Sequence, residues 1–163
     1  MFRIDKNATL EELIEIFRNG LIHKNRGFDE EDKKMEREGF RMQVAAIKRI
    51  DKFGEVGRQA LVKLMNTDPE QGVRIWAAAE LMDDRPEVAL PVLKDMHENG
   101  KFKLRSAAWA LLMGHELENN AGSPAAINAA RRRAELAEAA ARYEAETAKA
   151  KAPNGSARRS RPS

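Results

Sequence analysis

The sequence predicts an all-α fold: a short right-handed α-solenoid of helical hairpins, followed by a trailing C-terminal helix and a disordered tail. Two observations carry this expectation. Residues 60 to 113 hold the same hairpin twice without a gap. At an offset of 31, Lys63 pairs with Lys94, Met65 with Met96, Arg74 with Arg105, Ala77 with Ala108, Leu81 with Leu112 and Met82 with Met113. A fixed period of this kind marks a unit that cannot bury its apolar face alone and stacks on its neighbours. The second observation is that the apolar stretches follow helical spacing and are bracketed by helix start and stop residues.

Taken in order, Thr9 with Glu12 forms a capping box ahead of Leu10, Leu13, Ile14, Ile16 and Phe17, predicting an amphipathic helix to about Asn25. Gly20 falls inside that helix or at a break near its end, and residues 25 to 28 read as a turn. Between Asp29 and Gly54 the signals predict one long helix, or two broken near Gly39. Shifted back by 31, the repeat sets Met42 opposite Val73, Gln43 opposite Arg74, Ala46 opposite Ala77 and Ile50 opposite Leu81. This is a degenerate first repeat whose charged front half faces water.

Gly54 to Gly57 is expected as a short connection, and residues 57 to 65 as the first helix of the next hairpin. Asp68 is expected to cap a helix with Pro69 at its first position and Gln71 completing a capping box. That helix is apolar nearly all round and should lie between neighbours. Pro86 opens the following helix, Pro91 bends it and Gly100 ends it, and residues 101 to 116 close the last hairpin. Ser123 and Pro124 begin a helix rich in Ala, Glu and Arg, supported by Glu138 with Arg142 and Arg142 with Glu146. Its large apolar residues are only Ile127, Leu136 and Tyr143, so it is expected to be weakly docked or free. The predicted organisation is a domain over 1–122, a helix over 123–152 and a disordered basic tail over 153–163.

Composition narrows the function classes. The chain is 42% hydrophobic and 34% charged, the balance of a soluble protein. With no cysteine there is no disulfide, thiolate nucleophile or cysteine zinc site. No apolar run reaches the roughly 18 residues of a membrane helix. The first residues lack the apolar core of a signal peptide, so a cytoplasmic location is expected. The net charge of +3 lies in the tail: without Arg158, Arg159 and Arg161, 26 basic residues face 26 acidic ones. The body is neutral and carries no net field to attract a polyanion.

At Asp68, Val73, Arg74, Ala77 and Ala78, and again at Pro91, Asn99, Leu104, Arg105 and Ala108, the pattern resembles HEAT-like repeats. It is closer to the short phycobilisome-lyase-type repeats and to small bacterial proteins of unknown function built from them. The resemblance covers residues 57 to 115 well and 29 to 54 loosely. It implies a ladder in which Asp68 and Arg74 hydrogen-bond between adjacent repeats, with Arg105 and Asn99 forming the next rung; Asn99 replaces the acid there. The family proline is matched by Pro91 and is Ala60 in the earlier repeat. Such families are mostly binding modules, so the resemblance implies a scaffold and names no ligand.

Trp76, Glu80 and Asp83 share one sector of their helix, and a tryptophan flanked by two acids could anchor a protein partner. The alternative is that the first or the last helix covers it. Trp109, matching Ala78, is expected in the core, and Met35, Met42, Met65, Met82, Met96 and Met113 are expected as core filling. Arg131, Arg132 and Arg133, with Arg158, Arg159 and Arg161, could attract nucleic acid, but no aromatic residue is interleaved to stack on bases. His23, His97 and His115 lie on separate segments without metal-ligand spacing, so no metal or cofactor is expected. No activated nucleophile or phosphate loop is present to suggest an enzyme. The expected function is therefore a non-catalytic protein-protein interaction module of the adaptor or immunity type, with non-specific nucleic-acid binding through the basic C-terminal segment as the alternative.

Overall fold

Residues 3–120 and 122–151 are described by the computed structural model, and every regular element among them is helical. The helices are α1 (Leu10–Asp29), α2 (Lys33–Ile50), α3 (Gly54–Thr67), α4 (Gln71–Leu81), α5 (Pro86–Asn99), α6 (Phe102–Glu118) and α7 (Pro124–Lys151), with a 3₁₀ turn at Asp51–Phe53. The predicted tail, 153–163, lies outside the described residues, and no helix among those described is long and apolar enough to cross a membrane.

Thr9 closes the predicted capping box: its hydroxyl accepts from Glu12 N–H at 3.2 Å, and the Glu12 carboxylate accepts from Thr9 N–H at 2.7 Å. The helix then runs past the expected turn to Asp29, and the chain reverses at Glu30 and Glu31, the latter at φ 58°. Gly27 is there for packing. A β-carbon on it would lie 2.9 Å from both the Asp32 carbonyl and the Glu36 Cα, and one on Gly20 would lie 2.8 Å from the Gln43 nitrogen. Gly39, where a break was an option, sits inside an unbroken α2; a β-carbon there would meet the Lys24 Cα at 2.8 Å. Three glycines thus bring the α1 and α2 backbones together where any side chain would hold them apart.

Asp32 caps α2 by accepting from Lys34 and Met35 N–H at 2.9 and 3.0 Å. The expected connection at Gly54 to Gly57 is absent, because the 3₁₀ turn passes straight into α3. Gly54 makes that junction at φ 53°, a left-handed conformation that glycine adopts without strain. The next helix begins at Gln71, two residues later than expected. Asp68 instead ends α3, and its carboxylate accepts from Glu70 N–H at 2.8 Å.

The 31-residue register survives in the helix limits. α4 and α6 start at Gln71 and Phe102, and α2 and α4 end at Ile50 and Leu81. Helices pair as α1 with α2, α3 with α4 and α5 with α6, while α4 also touches α1, α5 and α6. Its apolar circumference is accounted for: Val73, Ile75, Ala77, Ala78 and Leu81 are all fully buried. Around them lie Leu13, Phe17 and Leu21 of α1, Ile50 of α2, Leu61 and Met65 of α3, and Leu93 of α5.

The last helix takes the docked alternative, and two residues expected in the core, Trp109 and Met113, are exposed. α7 is docked, lying against the 3₁₀ turn, α3 and α6. It buries Ala129 and Leu136, sets Tyr143 5.8 Å from the Phe53 ring, and passes Gly54 so closely that a β-carbon there would lie 2.9 Å from the Ala140 Cα. Trp109, expected in the core, is 53% exposed. Its repeat mate Ala78 is buried because α5 and α6 follow α4, whereas among the described residues no further hairpin follows α6. For the same reason Met113 is 38% exposed, while Met65, Met82 and Met96 fill the core.

Candidate functional site

Trp76, Glu80 and Asp83 do lie along one face of the chain near α4, but that face is half-buried under α1 and α7. Lys24 of α1 covers the Trp76 ring, its Nζ 3.7 Å from the ring centre, and donates to the Gln43 side chain at 3.2 Å. Burial lowers the Lys24 pKa, and the nearby Glu80 and Glu36 carboxylates work against that shift. Glu80 and Asp83 face α7. Burial raises both of their pKa values, only partly countered by Arg132 and, for Asp83, by Arg133.

Below this face is a charged cluster that the sequence reading missed. Arg58 is only 4% exposed; it pairs with Asp51, donates to the Glu80 carbonyl at 3.1 Å and lies 3.5 Å from Asp84. Arg132 closes the cluster from α7, donating to the other Asp51 oxygen at 2.7 Å and standing 4.0 Å from Glu80. Burial opposes the Arg132 charge, but Asp51, Glu80 and Asp83 outweigh it and its pKa is raised. Asp84 is pushed up by burial, and its second carboxylate oxygen has no hydrogen-bond partner among the described residues. The repeat register held a signal for this cluster. Asp51 and Arg58 occupy the positions of Met82 and Ala89, both buried, so two charges were due to enter an apolar layer.

Each member of the expected ladder is bonded elsewhere. Asp68 pairs across the hairpins with Arg18 of α1 at 2.6 Å, with the carboxylate nearly buried. Arg74 donates to the Met65 carbonyl at 2.8 Å and Arg105 to the His97 carbonyl at 3.1 Å, each closing the C-terminal end of the first helix of its own hairpin. Those carbonyls have no intrahelical donor, and a cation there also complements the helix dipole. Asn99 turns back to Asp95 at 2.8 Å.

The other candidates separate. Arg131 binds the Asn128 side chain at 3.1 Å, Arg132 is held in the cluster, and Arg158, Arg159 and Arg161 lie outside the described residues. His23 faces Glu38 at 3.8 Å, His97 lies 3.3 Å from the Arg105 carbonyl, and His115 is 4.0 Å from Glu118. A shallow cleft of about 270 Å³ between α4 and α6 is lined by Asp83, His115 and Glu118.

A second groove lies along the α1–α2 hairpin. It encloses about 360 Å³ and is lined by Lys24, Lys33, Glu36, Arg37, Phe40 and Arg41. Phe40 is 55% exposed in its floor. Lys33 pairs with Glu36 at 2.8 Å, Arg37 and Arg41 line the groove beside them, and the Lys24 ammonium is turned towards Trp76 and Gln43. Such a surface can pair carboxylates bidentately while packing an apolar side chain. Glycines at 20, 27 and 39 hold the two helices together beneath it. No family model, curated protein or solved structure matches the chain.

Proposed function

We propose that the three hairpins form a short HEAT-like α-solenoid that serves as a non-catalytic protein-binding module, taking up an acidic segment of another protein in the α1–α2 groove. The solenoid reading is supported by two pairs of helix limits 31 residues apart, the starts of α4 and α6 and the ends of α2 and α4, and by the position of α4 among α1, α3, α5 and α6. The groove carries the functional reading: Lys33, Arg37 and Arg41 line it together with one exposed phenylalanine, and its single lining carboxylate, Glu36, is already paired with Lys33. An acidic segment bearing one leucine or aromatic side chain satisfies both features.

Trp76 and Glu80 then act from beneath. The indole face and the carboxylate hold the Lys24 ammonium at the edge of the groove despite its burial. A protein fits this surface better than nucleic acid does, because Glu36 and Glu38 lie on α2 beside Lys33, Arg37 and Arg41, and Arg132 is engaged internally. The test compares the full chain with Arg37→Glu/Arg41→Glu as baits in nuclease-treated lysate of the source cells. A defined protein retained by the first and lost by the second, with unchanged helicity, supports the reading. Equal retention by both baits, or binding that disappears with nuclease, refutes it.

A further inference from the structure

The outer face of α6 is apolar at the place where a repeat array should turn polar. Trp109 and Met113 occupy the positions of Ala78 and Met82, which the following hairpin buries, and Phe102 and Leu117 extend the same stripe at 82% and 54% exposure. At about 100° per residue, Phe102, Ser106, Trp109, Met113 and Leu117 fall on one side of the helix. A terminal repeat normally carries a polar outer face. Residues 152–163 hold no large apolar side chain with which to cover the stripe.

The stripe has a palindromic layout. Its centre lies between Trp109 and Ala110: Phe102 is as far before that point as Leu117 is after it, and Ser106 mirrors Met113. The charges at its border fall close to this layout without matching it, Arg105 lying about four and a half residues before the centre and Glu116 about six and a half after it. Arg105 near the start and Glu116 near the end lie eleven residues apart, about three turns, and so share one edge of the stripe. A two-fold axis perpendicular to the helix keeps each edge on its own side, so it would carry the Arg105 of one copy towards the Glu116 of the other. Glu116 holds no ion pair among the described residues, and the Arg105 contact to the His97 carbonyl uses Nε and leaves the terminal nitrogens of the guanidinium.

We propose that α6 pairs antiparallel with the α6 of a second copy of this chain, with the two Trp109 side chains at the two-fold axis and Arg105 facing Glu116 on each flank. The interface is isologous, so one patch completes itself and the array closes rather than growing into a filament. This assembly does not depend on what the α1–α2 groove binds.

Sedimentation equilibrium of the full chain over a wide concentration range tests the proposal, with helicity checked by circular dichroism. A reversible monomer–dimer equilibrium is expected. Trp109→Glu should weaken it by roughly thirtyfold or more, as loss of a central aromatic anchor does. Met113→Glu serves as a second lesion should the first unfold the chain. Glu116→Arg should also weaken the dimer, and Arg105→Glu/Glu116→Arg should restore it, because the swap recreates the pair in both copies. A wild-type monomer at every concentration, an open-ended aggregate, a dimer indifferent to both glutamate substitutions, or a swap that fails to rescue would each overturn it.

Discussion

Replacing Gly39 by alanine tests how the α1–α2 hairpin is held, because the same substitution at Gly114 supplies its own control. Both glycines lie within helices, where alanine is favoured by about 1 kcal/mol. At Gly114 an added β-carbon meets nothing within 4 Å, so Gly114→Ala should stabilise the chain by about 0.5–1 kcal/mol. At Gly39 it meets the Lys24 Cα at 2.8 Å, with the Lys24 nitrogen and Gly20 carbonyl closer still. All three are α1 backbone, so no side-chain rotation relieves the overlap and the helices must separate. Overpacking costs about 1–3 kcal/mol, and a backbone obstacle argues for the upper end. After the propensity gain, Gly39→Ala should lose about 2 kcal/mol. For a chain of this size each kcal/mol moves the melting temperature by roughly 2–4 °C. Thermal and urea unfolding should therefore separate the two variants by about 3 kcal/mol. A Gly39→Ala protein as stable as Gly114→Ala would refute the close backbone contact.

Three further outcomes follow from the charged contacts. Arg132→Ala should cost about 1–3 kcal/mol in urea unfolding, below the 3–5 of a fully buried pair because the Arg132 side chain is 29% exposed and Asp51 keeps Arg58; a change under about 0.5 kcal/mol would mean that α7 is held by packing alone. Arg18→Ala leaves the nearly buried Asp68 carboxylate without its cation and should also cost about 1–3 kcal/mol, measured in the same way. For Glu80 the folded pKa is raised by burial above its ordinary 4.5, so its contribution to stability is complete below that value and is lost as pH rises through the folded pKa. Glu80→Gln removes this loss. Its urea midpoint should gain on the wild type more at about pH 7 than at about pH 5, and an equal difference at both would contradict the burial of the charge.

What could be read from the sequence depended on whether a residue's role was local. The capping box at Thr9, Pro86 at a helix start, Pro91 within a helix and Gly100 at an end act through their own backbone, and the helices follow them. The repeat was legible because identical packing demands recur at fixed offset, which also gave α4 its place in the core. Gly27 misled because a glycine needed for contact between helices looks like a glycine needed for a turn. Whether α7 docks was left open because its contacts rest on Ala129, Ala140, Leu136 and the Arg132–Asp51 pair, not on large apolar residues. Trp109 was misplaced by treating the last repeat like an interior one. The front of α2 was read as a charged face turned to water, or as a docking strip for a basic partner, because the groove takes shape only when Lys24 is delivered from a different helix.

The claim that the α1–α2 groove takes up acidic segments is tested most directly by amide NMR. The isotope-labelled full chain would be titrated with an acidic peptide carrying a single leucine, and with its neutral amide counterpart. Saturable shifts at Lys24, Lys33, Arg37, Phe40 and Arg41 and at the Trp76 indole, seen with the acidic peptide alone and absent in Arg37→Glu/Arg41→Glu, are the predicted result. Shifts confined to Trp109 and its neighbours or to the C-terminal arginines, or identical responses to both peptides, would contradict the account.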